Sequence, residues 1–139
     1  MKPNLLSTIA IGAILALAAA RPASADPLFS GATLDDITTC HSSTVYPYDE
    51  LHACERAMDD LSAQSKATTN QIDLQNVGLE MANVGVIDGY LCRQLGIDGA
   101  EEMFSGAHSL LQAILNDAVS AEIAQRAKTM LQIMNGGGI

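Results

Sequence analysis

Leu74 to Gly96 reads LQNVGLEMANVGVIDGYLCRQLG, and two helical stripes run through it together. Leu74, Val77, Met81, Val84, Leu91 and Leu95 recur at three- and four-residue steps, interrupted only by Asp88, so they share one face of a helix. One position further on runs a second stripe of small residues: Gly78, Ala82, Gly85, Gly89, Cys92 and Gly96. An interior glycine costs a helix roughly 0.8–1 kcal/mol. Close approach of another backbone is the gain expected to offset it. The stretch therefore predicts a central packing helix, with the small stripe covered by a neighbour in the same chain or by a second copy in a homodimer.

Working outward, the flanking segments carry the same grammar. Thr33, with Asp36 three residues on, predicts the cap of a short helix that turns Leu34 and Ile37 inward. Pro47 suits a first helical turn, and Leu51, Cys54, Met58 and Leu61 stripe a helix to about Gln64. Thr69 or Asn70 caps the long helix, and Gly96 ends it as a left-handed residue. Ala100, Met103, Phe104, Ala107, Leu111 and Ile114 stripe the next helix. Asn116-Asp117 breaks the pattern, and Ser120 caps a last helix carrying Ile123, Ala127, Met130 and Met134. No segment alternates as a strand does. The expected fold is all-α, a small bundle of four or five helices on short loops.

Residues 1–25 read as a cleaved signal peptide of the bacterial kind, in which Lys2 precedes an apolar run from Leu5 to Ala20 and Ala23-Ser24-Ala25 supplies the cleavage site. That run is shorter than the ~20 residues needed to span a bilayer, and Arg21-Pro22 ends it, so no stable membrane anchor is expected. The mature chain then forms a single helical domain over 26–134, a flexible glycine-rich tail over 135–139, and works in the periplasm or outside the cell. Of the seven basic residues, Lys2 and Arg21 leave with the leader, so five face sixteen acidic ones, a net charge of −11. Such a balance argues against nucleic acid or an anionic membrane as partner. With no Trp, two Phe and three Tyr, the core has to be built from Leu, Ile, Val, Met and Ala, which favours helix over sheet.

Three cysteines, Cys40, Cys54 and Cys92, allow three pairings in an oxidising compartment. Cys40–Cys54 is the favoured disulfide because it closes the turn-rich segment from His41 to Tyr48; a loop of that length is worth about 3 kcal/mol. Cys92 is left either as a buried thiol filling the small stripe or as an intermolecular or redox-active one. Cys40-His41 and His52-Ala53-Cys54 can be written as a metal set, but their spacings are tighter than structural zinc sites use, so no metal is expected. His108 sits beside the apolar face of its helix, as a surface or satisfied core residue.

Chemistry-bearing motifs are missing. The triplets Ile87-Asp88-Gly89 and Ile97-Asp98-Gly99 lack the ligands a calcium loop needs before and after that glycine. There is no Gly-x-Ser-x-Gly, HExxH or phosphate loop, and nothing pairs a nucleophile with a base. Neither an enzyme nor a cofactor is expected. Asp88 is the notable single residue, reaching solvent or Arg93 from a rim position, or a partner through a buried polar contact.

Gly89-x-x-Cys92-x-x-Leu95-Gly96 followed by Ala100-x-x-x-Phe104-x-x-Ala107 resembles the two helices of a tetratricopeptide repeat, and Asn76-x-Gly78-x-x-Met81-x-x-x-Gly85 resembles a second, overlapping start. Cys54-Glu-Arg-Ala57 is similar to the paired-cysteine, helix-rich repeats of small secreted proteobacterial proteins. The resemblance covers about 34 residues (roughly one repeat) and implies antiparallel hairpins on a scaffold that binds protein or peptide, without catalytic residues. Leu34 with Cys40, Cys54 and Cys92 also resembles, in order, the Tai-type immunity proteins that block type VI secretion amidases, although the fourth cysteine of that group is absent.

The expected function is thus an exported, non-enzymatic adapter that binds another protein beside the 74–96 helix, with Gly85, Asp88, Gly89 and Cys92 as the interface. The alternatives are an immunity protein against a periplasmic cell-wall hydrolase and a secreted virulence effector.

Overall fold

The computed structural model describes residues 27–137, so the expected leader lies outside the described residues. Five helices follow one another: α1 (Gly31–Cys40), α2 (Pro47–Ala67), α3 (Gln71–Leu95), α4 (Ala100–Asn116) and α5 (Ala121–Gly136). Among the described residues there is no strand, and the all-α bundle is the observed fold. None of the described helices is long and apolar enough to cross a membrane.

Helix boundaries follow local chemistry. Pro47 opens α2, where its missing N–H leaves no bond unmade. Asn70 caps α3 by accepting from the Asp73 N–H at 3.0 Å, and Ser120 caps α5 by accepting from the Ile123 N–H at 3.1 Å. Gly96 stands at φ 69°, and the Ile97 N–H donates back to the Cys92 carbonyl at 2.8 Å, closing α3 as a Schellman turn. The start of α1 differs from expectation. That helix begins two residues before Thr33, at Gly31, and the Thr33 hydroxyl donates instead to Asp60 across the α1–α2 contact at 3.4 Å. At the other end α5 runs through Asn135 to Gly136, two residues past the expected domain edge; Gly138 and Ile139 lie outside the described residues.

Consecutive helices are antiparallel neighbours. Cys40 bonds Cys54 in the disulfide, while Asp36 meets Arg56 and Thr33 meets Asp60, so α1 and α2 run in opposite directions. Gly89 lies against Phe104, Gly85 against Ala107 and Gly78 against Ile114, which sets α3 and α4 antiparallel as well. In the middle, α3 touches all four other helices.

Because α3 is enclosed, it divides the interior. Val77, Val84, Ile87 and Leu91 join Ile37, Leu51, Ala57 and Leu61 of α1 and α2 in one core. Leu79, Ala82 and Val86 join Phe104, Leu111, Ile123, Met130 and Met134 of α4 and α5 in another. The expected apolar stripe is the first of these faces, with Leu74, Met81 and Leu95 half-buried at its edges. The second face is additional to it.

Gly78, Gly85 and Gly89 of the small stripe pack against α4 of the same chain, while Gly96 is exposed. A Cβ placed at Gly89 would stand 2.7 Å from the Phe104 ring, and one at Gly78 would stand 2.9 Å from the tip of Ile114. At Gly85 a Cβ would stand 3.6 Å from the tip of Met58 on α2, 3.7 Å from the Ala107 Cβ and 3.8 Å from the Met103 carbonyl oxygen. Gly106 on α4 differs, since a Cβ there meets nothing within 4 Å.

Two glycine substitutions should therefore move stability in opposite directions. Gly89→Ala forces the Phe104 ring from under Arg93 and is expected to cost ~1–3 kcal/mol. Gly106→Ala should stabilise by roughly 0.5–1 kcal/mol through helix propensity alone. Paired thermal and urea melts check both, and equal effects would refute the packing described.

Candidate functional site

Where α2, α3 and α4 meet, the bundle is not filled. Gly85 forms the floor of an apolar hollow of about 180 Å³, walled by Met58, Met81, Met103 and Leu110, with Gly106 and Glu102 on the α4 side. Its origin is visible in the sequence of the two facing helices. Glycine at 85 and at 106 places no side chain in the hollow, and three unbranched methionines surround the space. Methionine is flexible and polarizable, and its thioether adapts to apolar guests of different shape.

One turn along α3 the groove becomes polar. Asp88 is 6% exposed and accepts a hydrogen bond from the Cys92 thiol at 3.3 Å. Burial raises the pKa of the Asp88 carboxyl; the thiol contact offsets part of this and the charge of Glu55 adds to it. The same burial, with Asp88 and Glu55 nearby, pushes the Cys92 thiol up to about 11. Covered and held protonated at neutral pH, Cys92 is a poor nucleophile, which disfavours its redox-active and intermolecular readings. The expected Asp88–Arg93 contact is absent. Arg93 instead donates to Glu101 at 2.8 Å and lies over the Phe104 ring, 4.8 Å from its centroid.

A third cluster carries no signal in sequence spacing. His41, which follows the end of α1, brings its Nε2 to 2.7 Å from Oε1 of the wholly buried Glu80. Asn83, one turn further along α3, places its amide nitrogen 3.3 Å from Nδ1 and 3.1 Å from Nε2 of the same ring. Burial raises the pKa of Glu80, and the His41 hydrogen bond and charge lower it. Its second oxygen, Oε2, has no hydrogen-bond partner. Chemically, the cluster can hold a proton between ring and carboxylate. Structurally, it pins the end of α1 to the middle of α3, immediately beside the disulfide.

Cys40 and Cys54 are bonded to each other, with Cα atoms 4.7 Å apart. That bond removes both thiolates from the Cys/His set weighed as a metal centre. His52 contacts Glu55 at 3.2 Å on the exposed face of α2, and His108 is exposed. Of the four residues expected to form an interface, Asp88, Gly89 and Cys92 are covered within the chain. Gly85 alone opens on the hollow. The methionine walls are legible in the sequence only as helix-stripe residues, since nothing in their spacing marks a gap.

Comparison with known protein families, with curated proteins and with solved structures finds no match to this chain.

Three substitutions test the buried acids. His41→Ala leaves the Glu80 carboxylate without its partner in the interior and is expected to cost ~3–5 kcal/mol, whereas Glu80→Gln with His41 intact should cost less. Glu50, 5% exposed in the first turn of α2, has its carboxyl pushed by burial up to about 7 from 4.5. The folded state therefore holds that proton more tightly, and stability present below pH 4.5 is lost as the pH rises through about 7. Glu50→Gln should raise stability by ~1–3 kcal/mol at about pH 8 and change it little at about pH 4. Denaturant melts at the two pH values read this out, and an equal effect at both would refute the assignment.

Proposed function

We propose that the chain is an exported, non-enzymatic binding module, a helical adapter that receives a segment of another protein in the groove between α2 and α4. The hollow over Gly85 carries this reading: it is an apolar, methionine-walled space that opens at the surface of the bundle. Pockets that take apolar side chains have this character, and Met-rich surfaces suit partners that must be accommodated by repacking.

Other features agree with it. The Cys40–Cys54 bond suits an oxidising compartment, in keeping with the leader read from residues 1–25. The acidic balance of the chain speaks against a nucleic-acid ligand. The resemblance of residues 76–107 to tetratricopeptide hairpins points to the same class of function, because such hairpins present grooves to peptide segments.

The test is site-specific photo-crosslinking in the native host. A benzophenone amino acid at Gly106 faces the hollow with room to spare, and one at Gln125 stands exposed on α5. A discrete crosslinked protein from position 106 and none from 125 is the expected result. No adduct at 106, or the same adducts from both positions, would overturn the assignment.

A further inference from the structure

The hollow is apolar inside and acidic around its edge. Glu102 stands at its rim on α4 and is exposed, with no ion-pair partner among the described residues. On α2, Glu55 and Asp59 are both exposed and flank Met58 at helical spacing. Glu55 precedes Met58, a wall of the hollow, by one helical turn.

His52 contacts Glu55 at 3.2 Å, and among the described residues no lysine or arginine is ion-paired with Glu102, Glu55 or Asp59. The whole of α4 contains neither lysine nor arginine. Arg56 is held by Asp36 at 3.0 Å and Arg93 by Glu101 at 2.8 Å. The groove therefore offers one apolar socket between carboxylates contributed by two helices.

Resting on the binding-module reading above, we propose that the occupant is a basic segment of a partner protein. It places one large apolar side chain in the hollow and a lysine or arginine within one helical turn of it, against Glu102 and Glu55. Charge complementarity selects this occupant over the others. A second copy of this chain would bring its own excess of acidic over basic residues to an acidic rim, and an anionic lipid surface would be repelled in the same way. The apolar anchor supplies most of the affinity through desolvation, while the rim charges set the encounter rate and orientation.

Gly106 allows the socket to be closed without disturbing the fold. A side chain there meets no neighbour at its first atom, lines the hollow and replaces a mid-helix glycine, so Gly106→Leu should fill the space and keep or raise the melting temperature. The experiment is selection of a phage-displayed random peptide library on the mature chain, counter-selected on Gly106→Leu. Enriched peptides should carry a large apolar residue with lysine or arginine three or four positions away. As synthetic peptides they should bind at least about tenfold more weakly to Gly106→Leu and to Glu102→Lys.

Enrichment of acidic or uncharged peptides, or binding unchanged by Gly106→Leu, would overturn the proposal. Concentration-dependent dimerisation abolished by Gly106→Leu would overturn it in favour of a second copy. No enrichment would also overturn it, and crosslinking from position 106 then separates the cases. A crosslinked protein without basic-peptide binding leaves the module and removes this partner class, whereas failure of both removes the module.

Discussion

A helix enclosed on every side has nowhere to put a charge, and that constraint on α3 governs the rest of the molecule. Four helices pack around it, so each of its polar side chains within the bundle must find a partner or carry an energetic penalty. Glu80 and Asn83 converge on His41, Asp88 accepts from Cys92, and the glycines present no side chain at all. The choice of residues along α3 follows from which neighbour covers each position: Phe104 over Gly89, Ile114 over Gly78, and Met58 with Ala107 over Gly85.

The same constraint shapes the candidate site. Two glycines, one on α3 and one on α4, put no side chain into a space walled by methionines of three helices, and the hollow results. It is an opening made by residue choice on three helices. The polar turn beside it is the opposite case, where a buried carboxylate and a buried thiol satisfy one another and leave little surface for a partner.

How much of this is legible from the chain differs by feature. Caps announce themselves: Pro47, Asn70, Gly96 and Ser120 stand where their chemistry requires, and the Cys40–Cys54 bond follows from loop chemistry between neighbouring helices. Thr33 misleads because a hydroxyl that looks like a local cap is committed to Asp60 on the next helix. The second apolar face of α3 is hidden because a helix buried all round has no single stripe for periodicity to find. Glu80 and Asn83 carry no signal in the sequence, since the ring they meet lies 39 and 42 residues away. A void cannot be read from spacing, because it depends on what two separate helices both omit.

The partition of the interior by α3 has a consequence for how the molecule comes apart. Loss of α1 and α2 would bare Val77, Val84 and Leu91, and loss of α4 and α5 would bare Leu79 and Val86. Neither pair can detach without presenting a flank of the same helix to water, so each core raises the cost of opening the other. Two separate cores joined by one shared wall thereby behave as a single cooperative unit.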